Sequence, residues 1–429
     1  MIEQEYDVIV IGGGPGGAAA ASLTAQKGHK VLLLERSHTP RFKIGESLMP
    51  ATWGTFERMG VLDKLKASPF IRKYSVQFFS PSGRASSPFY FQETDPAESS
   101  VTWQVLRSEF DALLLGQAEE QGAVIRRGAA VREVLFDGDR AVGVRVDLGD
   151  EREREIAARV VIDASGQTAL ISKKLGLRRP DAELKKTAFF SHFEGALRDP
   201  GIDEGATLVL HTDDASAWFW YIPLPDNRVS VGVVGSPEYL ISGRPGDPQQ
   251  VFDEEVARCK PLGPRLKNAK QVFPVQALRE FSYRSSRIAG DGWVLVGDAF
   301  GFLDPIYSSG VFLALKSGEL AADSVNAGLA AGDTSAARLG AHGPSFMAGM
   351  EAMRKLVYAF YEKDFSFSKF LRRFPEHRLG IVHLLVGNVS HPSDDLFAAM
   401  REMIRLPEEV FLTPDTEAAV PSGASEGNR

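Results

Sequence analysis

The chain of 429 residues has a single cysteine, Cys259, which excludes a disulfide framework, a cysteine-rich zinc site and an iron–sulfur cluster. A reducing cytoplasm is the expected location. The eight histidines show no metal-ligand spacing, so no metal centre is expected. Basic charge is also short: 49 Lys and Arg stand against 56 Asp and Glu, a net charge of −7, which argues against a general nucleic-acid binder. Long apolar runs are missing. Val8-Ile9-Val10-Ile11 is short and ends in glycines, so neither a signal peptide nor a membrane span is expected. No internal repeat, G-x-S-x-G element or serine triad is visible. What remains is an ordinary globular composition, 44% hydrophobic and 24% charged, long enough for one large domain or two. Aromatics reach 10%, with 27 Phe. They suit a flat or apolar ligand, a well-filled core being the plainer account.

The chain opens as strand, turn, helix, strand. Asp7-Val8-Ile9-Val10-Ile11 has the near-continuous apolar pattern of a strand buried on both faces. Gly12-Gly13-Gly14-Pro15-Gly16-Gly17 follows, then the helix formers of 18–25, then a strand over 31–34 that ends at Glu35. In Gly12-x-Gly14-x-x-Gly17 the first glycine permits a tight turn. The second lets backbone approach a pyrophosphate, and the third lets helix and strand pack closely. The helix N-terminus then faces phosphates, and Glu35 is placed to accept hydrogen bonds from a ribose. This context predicts dinucleotide binding. Two later strand ends carry acids, Asp163 before Ala164-Ser165-Gly166 and Asp298 in Gly297-Asp298-Ala299. An acid at a strand end ahead of a helix can bind a ribityl hydroxyl while the helix dipole faces a flavin, which favours FAD over NAD. A helix cap is the plainer account of Asp298. No second glycine fingerprint points to a separate nicotinamide domain.

Further along, 107–121 reads as a helix, 130–137 and 141–147 as strands joined by Asp137-Gly138-Asp139, and 159–163 as a buried strand. The segments 207–211, 217–222 and 228–234 read as an antiparallel sheet with one exposed face, its middle strand stopped by Pro223. A helix is expected over 248–259, a buried strand over 292–296 and a long helix over 310–329. Residues 345–406 read as mostly helical. The predicted fold class is α/β: a discontinuous Rossmann-type FAD-binding domain, an inserted, mostly antiparallel β-sheet substrate domain, and a C-terminal helical region. The expected boundaries are 1–72, 101–180 and 285–335 for the first, 73–100 and 181–284 for the second, and 336–412 for the third. A disordered tail is expected over 413–429.

This arrangement resembles the FAD-binding fold of flavin monooxygenases, geranylgeranyl reductases and flavin-dependent halogenases, from Tyr6 to about Ala322. Three segments single out the halogenases. Trp218-Phe219-Trp220-Tyr221-Ile222-Pro223 resembles their W-x-W-x-I-P signature. Its tryptophans, two apart on a strand, share a face. A core aromatic pair is the plainer account of either one alone. Asp304-Pro305-Ile306-Tyr307-Ser308-Ser309-Gly310-Val311 resembles the D-P-x-x-S-S-G-V stretch of phenol- and pyrrole-type halogenases. There the amides of Ser309 and Gly310, opening the long helix, are candidates to hold chloride or bromide; a cap by Ser308 or Ser309 is the structural alternative. Pro40-Arg41-Phe42-Lys43-Ile44-Gly45-Glu46-Ser47-Leu48-Met49-Pro50 resembles the P-R-x-x-x-G-E-S-L-x-P segment of the same branch. Phe70-Ile71-Arg72-Lys73 resembles the F-x-x-K that carries its active-site lysine, which implies Lys73, with Lys43 as competitor. Arg107 and Asp111 match the R-x-x-F-D helix that touches the cofactor, a surface ion pair being the alternative for Asp111. Tyr307 stands where the tryptophan-halogenase branch has a glutamate. A phenol titrating near about 10 is a poor base, so free tryptophan is not the expected substrate. The chain is also shorter than many relatives, which implies an abbreviated substrate cover.

The resemblance implies an FAD-dependent halogenase that installs chloride or bromide on a phenol or pyrrole, free or tethered to a carrier protein. It implies O₂, halide and reduced FAD from a separate flavin reductase as inputs, and hypohalous acid passing to Lys73. The indoles of Trp218 and Trp220 would keep the substrate from the flavin. Desolvation in an apolar tunnel should lower the pKa of Lys73. A monooxygenase or isoprenoid reductase on the same fold is one alternative. A non-catalytic FAD protein that holds a carrier protein is the other.

Overall fold

The computed structural model describes residues 5–39, 43–150, 152–244, 246–279, 282–363 and 365–407. Residues 40–42, which open the G-E-S segment, and the expected tail over 413–429 lie outside the described residues.

The apolar runs form a parallel sheet because only a strand covered on both faces can bury every side chain. Its order is Ala289–Gly290, Trp293–Leu295, Glu153–Asp163, Glu5–Ile11, Val31–Glu35, Val124–Arg127, all parallel neighbours except the edge strand Ala289–Gly290, which pairs antiparallel with Trp293–Leu295. Val8 lies opposite Val160 and Val31, and Ile162 opposite Val294. The hairpin Ala130–Asp137 and Arg140–Asp147 adds antiparallel to the first half of Glu153–Asp163. Helix Pro15–Ala25 packs on this sheet, wedged against helices Arg107–Glu120 and Ser309–Ala331.

A second sheet runs in the order Lys270–Gln271, Thr187–Glu194, Arg228–Gly235, Ala217–Leu224, Thr207–His211, Ser75–Phe79, Phe89–Tyr90. All its neighbours are antiparallel except Thr207–His211 with Ser75–Phe79. Two expectations fail here. The sheet has no exposed face over its central strands: every residue of Ala217–Leu224 is buried. Trp218, Trp220 and Ile222 join the core shared with the parallel sheet, while Phe219 and Tyr221 pack with Val251, Phe252 and Leu262 of the covering helices. Nor does Pro223 stop the strand, which continues to Leu224 with Pro223 opposite Val229. The pairing with Thr207–His211 reaches only Tyr221, so Pro223 sits where one side has no ladder and its missing N–H interrupts nothing.

Helices Gly343–Tyr361, Phe367–Arg373, Arg378–Val386 and Asp394–Arg401 close the described chain. Among the described residues no helix is long and apolar enough to cross a membrane.

Candidate functional site

The C-terminal ends of the parallel strands open onto one cavity of about 670 Å³, a place where α/β sheets bind ligands. Gly12, Gly14, Glu35, Arg107 and Asp298 line one side; Phe190, Trp220 and Ile222 of the second sheet line the other. Gly12 has φ +102°, and a Cβ there would lie 2.4 Å from the Ala164 carbonyl oxygen. A Cβ on Gly17 would lie 2.0 Å from the Gly12 oxygen, so helix and strand touch only because it is absent. Gly14 differs: a Cβ there would meet nothing within 4 Å, since the position faces open space ahead of helix Pro15–Ala25.

Glu35 accepts from the amides of Gly13 and Ser37, both at 2.8 Å. Burial alone would raise its pKa, but those amides and the nearby Lys43 charge hold it below the usual carboxylate range. It is therefore ionised, with lone pairs free for a ribose. Asp298 is raised to about 6 by burial, against the pull of Arg107 and Lys43. Its carboxylate has no hydrogen-bond partner among the described residues. Arg107 forms a bidentate pair with Asp111, at 2.9 and 3.0 Å, and donates to the Ile44 carbonyl at 2.6 Å. The two side chains are 6% and 8% exposed, so the surface ion pair considered for Asp111 is corrected: the pair is internal and aims Arg107 at the cavity. The suggestion of a ribityl contact at Asp163 is likewise corrected. That carboxylate is wholly buried, accepts from the Ser165 and Ile171 amides, and shapes the turn behind the cavity. An open cradle at Gly14, an ionised Glu35 and an unpartnered Asp298 fit FAD.

At the far end, Ser308 precedes helix Ser309–Ala331 in the left-handed region, φ +58°, a conformation that non-glycine residues rarely adopt. Its side chain makes no capping bond, so a cap by Ser308 is not what the sequence built. Ser308 and Gly310 line the cavity; Ser309 is buried beneath them.

Lys73 lies outside the cavity wall. Strand Ile71–Lys73 pairs with Thr102–Gln104, and Ser47 bridges to Gln104 on the other side of that strand. Alternation puts Lys73, Thr102, Gln104 and Ser47 on one face of this ribbon. Lys73 Nζ donates to Ser47 Oγ at 2.8 Å and to the Leu48 carbonyl at 3.0 Å. It is 3% exposed, no carboxylate pairs with it among the described residues, and burial lowers its pKa to about 7. Lys43, the competitor, is exposed at the cavity edge.

The tryptophans diverge in role. Trp220 lines the cavity and donates to Ser230 Oγ at 3.1 Å. Trp218, 6.4 Å away between ring centres, is outside that wall and donates to the Tyr361 hydroxyl at 3.0 Å. Tyr361 in turn donates to Asp304 at 3.0 Å, whose pKa burial pushes to about 7. Tyr307 donates to the Leu356 carbonyl at 3.1 Å, and burial keeps its phenol well above its ordinary value, in keeping with a poor base. Sequence reasoning missed the polar groups that join these parts: Ser47, Thr207 and Gln104, the buried Glu46–His192 contact of 2.8 Å, and Tyr361. Glu46 and Ser47 stood inside the G-E-S segment, and Gln104 and Thr207 were polar residues in apolar strands. Tyr361 had no signal at all.

Comparison with known proteins agrees with this geometry. The family model described as an FAD binding domain matches residues 5–322. The chain is 31% identical over 428 residues to the 1H-pyrrole-2-carbonyl-[peptidyl-carrier protein] chlorinase of Pseudomonas fluorescens, covering 94% of each chain, so it is not short beside that relative. It is 32% identical to the corresponding brominase of Pseudoalteromonas luteoviolacea over 75% of this chain and 77% of that one. The solved structure of the flavin-dependent brominase Bmp2 superposes with a TM-score of 0.83 at 29% identity, covering 93% of this chain and 98% of that one. The myxobacterial chondrochloren halogenase CndH gives 0.78 at 31%, covering 93% and 96%. A cavity shaped for FAD, walled on its second side by the halogenase tryptophan strand and matched over nearly the full length of both chains, has one reading: the protein belongs to the flavin-dependent halogenases, FAD-dependent oxidoreductases that halogenate electron-rich aromatic rings.

Proposed function

We propose that this enzyme halogenates a pyrrole or phenol ring carried as a thioester on a carrier protein, and that Lys73 delivers the halogen. The supporting observation is the lysine itself: a buried amine without a counterion among the described residues, one hydroxyl away from the cofactor cavity. Gly12, Gly14 and Gly17 shape the phosphate cradle, Glu35 takes the ribose, and Arg107 and Asp298 take polar groups nearer the ring. The amides of Ser309 and Gly310 hold the halide, at a helix start with no Ser308 side-chain cap. Bound reduced FAD, with O₂ and halide, supplies hypohalous acid. Trp220 closes the cavity toward the second sheet, and Trp218 backs it, so that the organic substrate stays on the lysine side.

Two N–H bonds of Lys73 are committed to Ser47 and Leu48. Its third direction carries an N–H in the ammonium and the lone pair in the amine. With a pKa of about 7 both forms are populated at neutral pH. The amine reacts with hypohalous acid to give N–X and water; the ring then attacks X, the N–X electron pair returns to nitrogen, and the proton lost by the ring restores the amine. The ammonium instead polarises the O–X bond by hydrogen bonding. The carrier-tethered pyrrole follows from what the two pyrrolyl-carrier relatives are named for. A separate flavin reductase in the cytoplasm supplies the reduced cofactor. The test is incubation with a flavin reductase, NADH and bromide, offering pyrrole and phenol acids both free and as carrier thioesters. Mass spectrometry should show the bromine isotope pair on the carrier-bound ring. Bromination of free acids alone would refute the carrier, and no brominated ring at all would refute the substrate class.

A further inference from the structure

The cofactor cavity and Lys73 share no wall, yet one hydroxyl touches both. Ser47 lines the cavity, and its Oγ receives the Lys73 hydrogen bond at 2.8 Å. Thr207, also lining the cavity, lies 2.9 Å from Ser47 Oγ. Behind them Gln104 Nε2 donates to Thr207 Oγ1 and to the Gly205 carbonyl, both at 2.9 Å, which fixes the amide's orientation. Its Oε1 is then left buried without a partner among the described residues. A buried acceptor left unpaired has lost its hydration with no hydrogen bond in exchange, and such a group in a native site calls for an explanation.

The hydroxyl bookkeeping leaves a vacancy of the right kind. Thr207 Oγ1 accepts from Gln104, and Ser47 Oγ accepts from Lys73. The two hydroxyls share one hydrogen bond between them, so one of their two protons is left over to donate elsewhere. Together the cluster offers one O–H donor at the cavity edge and, on Gln104 behind the two hydroxyls, one carbonyl acceptor without a partner among the described residues. A hypohalous acid molecule needs such a pair: its oxygen accepts and its O–H donates. Halide and O₂ carry no comparable O–H group.

We propose that Ser47, Thr207 and Gln104 form a transfer station that receives neutral hypohalous acid from the cofactor cavity and hands it, unreacted, to Lys73. This inference rests on the assignment of Lys73 made above. No bond forms or breaks at the station. Its function is to hold the oxidant by hydrogen bonds and aim it, so these are positioning residues. Chain geometry supports the arrangement, because Ser47, Gln104 and Lys73 share one face of a three-stranded ribbon whose register fixes their spacing.

The experiment compares Ser47→Ala, Ser47→Thr, Thr207→Val and Lys73→Ala in the FAD-loaded enzyme with bromide. Two quantities are read: brominated substrate per O₂ consumed, and hypobromous acid escaping to an excess of monochlorodimedone. Ser47→Ala should lower the first at least 10-fold and raise the second to match, Thr207→Val should do so more mildly, and Ser47→Thr should restore coupling. A purely structural role would not convert lost product into escaped oxidant. A second readout needs no turnover: FAD-free protein receives a pulse of hypochlorous acid, and chloramine at Lys73 is located by peptide mass mapping. Ser47→Ala should reduce that labelling several-fold against wild type. If Ser47→Ala keeps full coupling and labelling while Lys73→Ala loses bromination, the station is refuted and the lysine assignment stands. If Lys73→Ala also brominates normally, the lysine assignment falls and the station falls with it.

Discussion

At the scale of a single residue, the proposed halogen transfer rests on Lys73. Three in a hundred parts of its surface meet solvent; it donates to a hydroxyl and a carbonyl and stands over the Phe91 ring. Such burial disfavours the ammonium, lowering its pKa to about 7 from 10.5. The folded value lies below the unfolded one, so between those two values the unfolded chain holds the extra proton. Stability therefore rises with pH across that window and is flat below it. The penalty at neutral pH is on the order of 4 kcal/mol. Lys73→Met should gain stability over wild type at pH 7, with the gap closing as pH approaches 10; denaturant midpoints across that range measure it. A constant gap would show that Lys73 is solvated. Function should separate from folding in Lys73→Ala. The cavity walls that bind FAD do not include this side chain, so FAD affinity and O₂ consumption should stay near wild type while bromination collapses. Lys73→Arg should fail as well, because a guanidinium stays protonated and offers no nucleophilic lone pair. Lys43→Ala, at the exposed cavity edge, is the control. Normal bromination by Lys73→Ala with loss in Lys43→Ala would reverse the assignment.

Individual elements explain what could be read from the sequence and what could not. The strands Glu5–Ile11 and Val31–Glu35, the glycine turn and the helix after it were legible, because their chemistry is local: continuous apolar runs, then residues without side chains. The two glycines there make opposite predictions. Gly14→Val extends into open space, so the FAD-free protein should keep its melting temperature within about a degree or two while losing FAD affinity at least 10-fold. Gly17→Ala drives a Cβ to 2.0 Å from the Gly12 oxygen. It should lose several degrees before any cofactor is added, since overpacking of this kind costs about 1–3 kcal/mol or more. Thermal melts with and without FAD distinguish them; equal apo stability in the two variants would contradict the packing. By contrast, the buried second face of Ala217–Leu224 was misread although the residues were informative. Trp-Phe-Trp-Tyr is apolar at every position, the mark of a strand covered on both sides, but the covering helix Pro248–Arg258 lies far off in sequence. The ribbon holding Lys73 was harder still. Ser47, Gln104 and Thr207 come together only through pairings between distant segments, and nothing in a one-dimensional pattern announces a bridge between residues 47 and 104. Tyr361 is the extreme case. It joins Trp218 to Asp304 from the last turn of helix Gly343–Tyr361, so Tyr361→Phe should leave both groups unsatisfied and cost about 1–3 kcal/mol, read as a lower denaturation midpoint. An unchanged midpoint would mean that water takes the hydroxyl's place.

At the scale of the whole molecule, the cofactor site is a seam between two sheets. Gly12, Glu35 and Asp298 belong to the parallel sheet and its turns, whereas Phe190, Trp220 and Ile222 belong to the antiparallel one. A continuous core joins the two sheets: Trp218, Trp220 and Phe190 belong to one apolar cluster with Val8, Leu34 and Val296. A ligand that fills the seam contacts both halves and is lost when either unfolds, so its binding energy acts on the molecule as one cooperative unit. At a hundred times its dissociation constant, FAD should add about 2.7 kcal/mol to unfolding. That corresponds to a rise of several degrees in melting temperature. The rise should appear equally in far-UV circular dichroism, which reports helices and strands everywhere, and in the fluorescence of the buried tryptophans near the seam. Gly14→Val should abolish it in both. Two separate transitions, with FAD moving only the one that reports the parallel sheet, would show that the sheets unfold independently and that the second sheet merely covers the cofactor. A single transition shifted as a whole would show that the two sheets unfold as one cooperative unit and that the ligand is held by both.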